Sequence, residues 1–166
     1  MSKKVILITG SNGEIGSSLI NKLSQNNYII SLDLSHKNNK RSNIKNIRGS
    51  ILDKNLLNDV NEKYNISEIY HLAAILSTKA QENPVLANEV NYNGTINLLE
   101  IAKSQALKLN KPIKFFFPSS IAVYNMDNKN LDNLINEDFL SIEPLTEYGK
   151  AKLNCEKISI NNYLNN

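Results

Sequence analysis

Three features of the sequence predict an α/β protein with a doubly wound parallel sheet. Short apolar runs alternate with segments of helical periodicity over most of the chain, as strands joined by helical crossovers do. The first run, Val5 to Thr9, gives way to glycines at 10, 13 and 16, after which Ile15, Leu19, Ile20 and Leu23 recur at helical spacing. The second run, Tyr28 to Leu32, ends in Asp33, about twenty positions beyond the glycines.

Beyond Asp33 a polar loop, Ser35 to Asn43, has no periodicity. Ile44 to Ile51 forms a short third strand interrupted by Gly49-Ser50. Asp53 stands where a helix N-cap belongs, ahead of the apolar stripe Leu56, Leu57, Val60 and Tyr64. Glu68 to Ala74 is a fourth strand, closing in small residues that let a ligand approach the backbone. Pro84 opens a long helix to Leu109, with Leu86, Val90, Thr95, Leu98, Leu99 and Ala102 on its buried side. Lys114 to Phe117 is the fifth strand and runs into Pro118-Ser119-Ser120. The polar segment Asn125 to Glu143 has no clear periodicity. Thr146 or Glu147 then starts a last helix through Ala151, Leu153, Cys155 and Ile158. Right-handed crossovers put the strand ends, at 9, 33, 72 and 118, along one rim, with a ligand at the switch point.

Composition sets the bounds. The 166 residues are one domain's worth, 1–166, with room for several strands and covering helices and none for a large second domain. The net charge of +3 is mild and the lysines are scattered, without an aromatic-interleaved basic patch, so nucleic acid is not an expected partner. The single cysteine, Cys155, excludes an internal disulfide and a multi-cysteine metal site. No metal is expected, and a reducing cytoplasm is the simplest setting. The apolar run after Lys3-Lys4 is too short for a signal-peptide core, and no stretch is long enough for a bilayer.

The glycine run carries the first chemistry. Lacking a Cβ, glycines at 10, 13 and 16 permit a tight turn, a pyrophosphate against the backbone, and close packing of helix on strand. Free N–H groups at the helix start then face the phosphates. Asp33 can accept both hydroxyls of the adenosine ribose, and its charge repels a 2′-phosphate, so NAD is expected over NADP. Lys37, Lys40 and Arg41 follow closely and offer a phosphate some charge; a solvated loop is the simpler reading of them.

Tyr148 and Lys152 stand four apart on the last helix, on one face. A phenol is a poor base at neutral pH, with an ordinary pKa of about 10, and a neighbouring ammonium favours the phenolate. Such a pair can take the proton from a substrate hydroxyl while hydride leaves its carbon for a nicotinamide. Ser120, just beyond the fifth strand, can hold the substrate oxygen, and Ser119 competes for that role.

Together, Thr9-Gly10-Ser11-Asn12-Gly13-Glu14-Ile15-Gly16, His71-Leu72-Ala73-Ala74, Asn91-Tyr92-Asn93-Gly94-Thr95, Pro118-Ser119-Ser120-Ile121-Ala122-Val123-Tyr124 and Tyr148-x-x-x-Lys152 resemble the extended short-chain dehydrogenase/reductases, the NAD-dependent epimerase/dehydratases. The resemblance covers nearly the whole chain and implies a Rossmann fold that binds NAD. It implies cofactor contacts at Gly10, Asn12, Gly13, Glu14, Ile15 and Gly16, the backbone of Glu14 and Ile15 meeting the pyrophosphate. Asp33 would hold the adenosine ribose, Ser50 and Ile51 would flank the adenine, and Leu72, Ala73 and Ala74 would lie beneath the cofactor. Tyr148 and Lys152 would reach the nicotinamide ribose. By the same carry-over Ser120 is the catalytic serine and Tyr148 the base, with Lys152 beside it.

The sequence departs from the family in three places. Ser50 stands where an aspartate is common, which alters the adenine contact. Leu76 stands where enzymes that epimerise sugar nucleotides at C4 carry a lysine. Family members are also considerably longer, with a C-terminal substrate lobe, so the resemblance is to their N-terminal part. The chain is then a piece of a longer product or a truncated relative. The expected activity is an NAD-dependent step on a hydroxylated small molecule, a nucleotide sugar first. The string His71 to Ser77 with Pro118 to Val123 is also similar to short-chain L-threonine 3-dehydrogenases, in which reading Ser77 helps bind the substrate. A non-catalytic NAD-binding module is the reading from another class, and a homodimer is among the assemblies the expectation admits.

Overall fold

The computed structural model describes residues 3–35, 41–124 and 143–164, with side chains to 162. Lys37, Lys40 and most of the polar segment from Asn125 lie outside them. The described residues form two compact units, Met1–Ala74 with Gly94–Pro118 and Ile75–Asn93 with Ser119–Asn166.

The first unit is a Rossmann fold. Its strands are β1 (Val5–Thr9), β2 (Tyr28–Asp33), β3 (Ile44–Arg48), β4 (Ile66–His71) and β5 (Lys114–Phe116), all parallel, in the order β3-β2-β1-β4-β5. Three helices serve as crossovers: α1 (Glu14–Leu23), α2 (Lys54–Lys63) and α5 (Gly94–Leu109). Side chains alternate across each strand, so Ile6, Ile8, Ile29 and Ile44 meet Ile20, Leu19 and Leu23 of α1 on one face. Leu7, Ile30, Leu32 and Ile69, all essentially inaccessible, fill the other, the side of the paired helices α2 and α5. Buried Gln105 of α5 is fully engaged there: its Oε1 accepts the Ile66 N–H at 2.8 Å, and its Nε2 donates to Asn61 O and Tyr64 O at 2.7 and 2.9 Å.

The register sets the rim. Thr9 is paired with Leu32 on one side and His71 on the other, so β1, β2 and β4 end level. Strand limits differ from the expectation at several ends. β3 stops at Arg48, ahead of the Gly49-Ser50 turn, and β4 begins earlier, at Ile66, and ends at His71. Leu72 N–H makes the last bond to Thr9 O at 3.1 Å, after which the chain leaves the ladder and crosses the glycine turn. Ile15, expected on the buried stripe of α1, is 60% exposed, and in the first turn of that helix Gly16 is the residue that is buried.

The second unit holds α3 (Ser77–Glu82), α4 (Pro84–Asn88), a π-helical turn (Glu89–Asn93), a 3₁₀ turn (Ile121–Val123) and α6 (Glu147–Leu164). The long helix expected from Pro84 is therefore divided, and α3 before it carries no signal strong enough to read. Asn83 caps α4, its Oδ1 accepting the Leu86 N–H at 3.1 Å. Leu86, expected to be buried, is 43% exposed. A π turn holds an extra residue, so a stripe counted at the α period through it does not stay on one face. The turn instead carries the polar Asn91 inward, where its amide accepts from Ile75 N at 2.7 Å and donates to Ile75 O at 2.9 Å.

Candidate functional site

The glycine turn after β1 is held by contacts that exclude side chains. Gly10 adopts φ of +63°, and a Cβ there would lie 2.6 Å from Ala73 N and 2.7 Å from Leu72 C. At Gly16 a Cβ would lie 2.5 Å from Gly10 O and 2.8 Å from Ser11 Cα. Gly10 thus lets the end of β4 cross the turn, and Gly16 lets α1 close onto it. Gly13, between them, is exposed, and a Cβ there would meet only Gly10 O, at 3.2 Å. It caps α1 in extended conformation, with Glu14 and Ile15 following as the first helical residues, both exposed. The result is a shelf open at Gly13 above the unsatisfied N–H groups of a ten-residue helix, where an anion is favoured.

At the end of β2 the Asp33 carboxylate is tied to this turn. Its Oδ2 accepts Asn12 N–H at 3.0 Å, and its Oδ1 accepts Ser35 N–H and Ser35 Oγ–H at 2.9 and 2.8 Å. Asn12 Nδ2 donates in turn to Ser35 O and Ser35 Oγ at 2.9 and 2.8 Å. Burial alone would raise the Asp33 carboxyl, but the hydrogen bonds from Ser35 and Asn12 outweigh it and hold the group below its ordinary value. Asp33 is an ionised acceptor throughout the neutral range. Arg41, one candidate for holding a phosphate, has its Nη1 on Ser24 Oγ at 2.6 Å.

Ser50 and Ile51 follow β3. The Ser50 hydroxyl accepts Leu52 N–H at 3.1 Å. Ile51 is buried against Gly94, and its carbonyl accepts Asn97 Nδ2–H at 3.0 Å. What this turn turns outward is the Ser50 side. Leu72, Ala73 and Ala74 are partly exposed along the path over Gly10.

In the second unit α6 presents Tyr148 and Lys152. Thr146 caps the helix, its Oγ1 accepting Gly149 N–H at 3.0 Å. Lys152 is buried, with Nζ 5.7 Å from the Tyr148 ring centroid. Burial pushes its ammonium below the ordinary lysine value, and Cys155 pulls it partly back. A side chain at Gly149 would overlap Ala122 O, so α6 lies directly on the 3₁₀ turn that Ser120 caps. Ser120 Oγ accepts Ala122 N–H at 3.2 Å, which leaves its own proton available to a ligand. Ser119, by contrast, donates its hydroxyl to the Glu156 carboxylate of α6. Ser77 is exposed at the start of α3, beside exposed Leu76.

The first unit therefore brings together Gly10, Asn12, Gly13, Gly16, Asp33, Leu72 and Ala73, and the second brings Tyr148 to Lys152 on α6 and packs that helix on the turn that Ser120 caps. Sequence reasoning missed Ser35, which stands two residues after Asp33 at the spacing of an Asx turn, and Glu156, which nothing near Ser119 in the chain marks.

Over residues 6–162 the sequence matches the family described as the NAD dependent epimerase/dehydratase family. The chain belongs to that family. Its cofactor is accordingly NAD. This epimerase/dehydratase-family chain is 35% identical over 154 residues to a putative UDP-glucose 4-epimerase from Methanocaldococcus jannaschii, a match covering 89% of the chain and 47% of the relative. Among solved structures it resembles an L-threonine dehydrogenase from Clostridium difficile with a TM-score of 0.78 and 33% identity, covering 99% of the chain and 50% of the other. It also resembles MoeE5 in complex with UDP-glucuronic acid and NAD, with a TM-score of 0.77 and 26% identity, covering 95% and 48% respectively. The family member described here spans about half the length of these relatives. Among its described residues no helix is long and apolar enough to cross a membrane.

The glycine shelf and the ionised Asp33 fit such a dinucleotide physically. The shelf lacks side chains where a pyrophosphate would need the space, and Asp33 is the acceptor a ribose diol requires.

Proposed function

We propose that the chain is the cofactor-binding portion of an NAD-dependent oxidoreductase of the epimerase/dehydratase type, acting on a hydroxylated small molecule, a nucleotide sugar in the first instance. The observation that carries the reading is the exposed Gly13 between Gly10 and Gly16, positions where a Cβ would overlap backbone, with the Asp33 carboxylate bonded to the same turn. Gly10, Asn12, Gly13, Glu14, Ile15 and Gly16 would hold the pyrophosphate, Asp33 the adenosine ribose and the Ser50 turn the adenine. Bound NAD supplies a hydride acceptor.

The chain's own residues supply the rest. Ser120 donates a hydrogen bond to the substrate oxygen and keeps its proton. Tyr148 takes the proton from that oxygen as hydride leaves the adjacent carbon, and Lys152 favours the phenolate. The nucleotide-sugar choice draws support from the similarity to the putative UDP-glucose 4-epimerase and to MoeE5, whose structure holds UDP-glucuronic acid. A second reading, an L-threonine 3-dehydrogenase with Ser77 at the substrate, draws support from the similarity to the Clostridium difficile enzyme. A non-catalytic NAD-binding module would keep the first set of contacts alone. A cytoplasmic setting belongs to the same reading and rests on the one cysteine, Cys155, a buried thiol that is in no disulfide.

The test is calorimetric titration with NAD and NADP, followed by NADH formation with UDP-sugars and with L-threonine. NAD is expected to bind more tightly than NADP, and Asp33→Ala to weaken NAD; equal affinity for both cofactors overturns the assignment of Asp33. Tyr148→Phe is expected to abolish turnover and leave NAD binding intact. Turnover retained by that variant removes Tyr148 from the mechanism, and NAD binding without turnover on any substrate supports the module.

A further inference from the structure

We propose that the Ser35 hydroxyl holds the place a ribose hydroxyl takes on Asp33, so that nucleotide binding at this rim exchanges one hydroxyl for another. The inference rests on the reading of Asp33 as the ribose acceptor. A carboxylate offers about four lone-pair positions. At least three are filled: Asn12 N–H on Oδ2 at 3.0 Å, and Ser35 N–H and Ser35 Oγ–H on Oδ1 at 2.9 and 2.8 Å, with the Leu34 backbone N–H a further donor to the group. A ribose diol brings two donors to a carboxylate with at most one position open. One incumbent has to leave.

Chemistry selects which. Asn12 N and Ser35 N are backbone groups, and removing either would take apart the turn or the end of β2. Ser35 Oγ rotates about a single bond on an exposed residue, where water receives it at little cost. Asn12 Nδ2 donates to Ser35 O at 2.9 Å as well as to Ser35 Oγ. That backbone bond keeps residue 35 in place after its hydroxyl has turned away. Ser35 thereby sets affinity: the hydrogen bond it makes to a charged acceptor is one the ribose must replace.

Removing the hydroxyl removes the competitor. With NAD titrated calorimetrically into the full chain, Ser35→Ala is expected to bind roughly fivefold tighter or more, while Ser35→Thr, which keeps a hydroxyl, stays near the parent value. The gain is expected to vanish for the analogue of NAD with a 2′,3′-dideoxyadenosine ribose, which has no donor to exchange. Thermal melts of both variants verify that they fold. Unchanged or weaker NAD binding by Ser35→Ala, or a gain as large for the dideoxy analogue, overturns the exchange while leaving Asp33 as ribose acceptor. Absence of NAD binding by the parent chain, or unchanged binding by Asp33→Ala, removes the ribose reading and the exchange with it.

Discussion

His71 Nδ1 lies 2.8 Å from Thr9 Oγ1, and the bond joins the last residue of β4 to the residue before the glycine turn. Thr9 Oγ1 also accepts Ala73 N–H at 3.4 Å. On the other side of the ring His71 Nε2 lies 3.1 Å from Thr95 Oγ1 of α5. The imidazole is 2% exposed and ties both ends of this rim to the helix behind it.

His71→Phe keeps an aromatic ring and takes one hydrogen bond from each of two buried hydroxyls. It is expected to cost about 1 to 3 kcal/mol of stability, roughly one lost hydrogen bond per hydroxyl, and His71→Gln less. Urea denaturation of the two variants checks the ranking, and a His71→Phe variant as stable as the parent would refute it.

Asp33 gives a pH prediction. Its folded pKa lies below the unfolded value, so the unfolded chain takes up the proton first. The stability it contributes is complete above the ordinary carboxyl range, about pH 3.9, and is lost as pH falls through the folded value. NAD affinity is expected to be level from about pH 5.5 to pH 8, since the acceptor stays ionised there. Asp33→Asn is expected to lower NAD affinity about tenfold or more, because the acceptor loses its charge. Calorimetry at several pH values tests both; a midpoint in NAD affinity within that window would contradict the first.

Lys152 has the same slope with pH but is a cost, not a gain, at neutral pH. Burial holds its ammonium below the ordinary lysine value, so the folded protein releases the proton before the unfolded chain does. Stability therefore rises as pH climbs through the folded value towards about 10.4. Lys152→Met keeps the aliphatic stem and removes the charge. It is expected to raise stability at pH 7 by about 1 kcal/mol, to flatten that rise, and to abolish turnover. Melting curves between pH 7 and 9.5 are the measurement, and a less stable variant at pH 7 is the contrary result.

Glu68 is buried on β4, with Lys4 Nζ on its Oε1 at 2.5 Å and the Tyr70 hydroxyl on its Oε2 at 3.1 Å. Burial pushes its carboxyl up, and the hydrogen bonds from Lys4 and Tyr70 more than reverse that. Lys4→Met is expected to destabilise by about 1 to 3 kcal/mol at neutral pH, with the loss shrinking as the carboxyl protonates near pH 4. Adding Glu68→Gln is expected to recover most of the loss. An equal loss at pH 7 and pH 4 would show that the charge is not the cause.

How much of this was legible varies with how local the signal is. The turn from β1 into α1 and the Asp33 that ends β2 could be read directly, because a strand, three glycines and a helix lie within twenty residues of one another. The division of the helix after Pro84 could not: the π turn depends on Asn91 reaching the Ile75 backbone, sixteen positions back. The choice between Ser119 and Ser120 was equally out of reach. Adjacent residues of one type have the same local chemistry, and the Glu156 that engages Ser119 is 37 positions away.

By itself, then, the sequence determined the order of strands and helices, their parallel arrangement, the glycine shelf and the acid at its side, since these follow from periodicity and backbone sterics over short spans. Only the tertiary structure decided which polar groups are engaged across the fold: Asn12 on Asp33, Glu156 on Ser119, the buried ammonium of Lys152. Hydrogen bonds and burial are set by residues that folding brings together from distant positions, and no spacing along the chain records them.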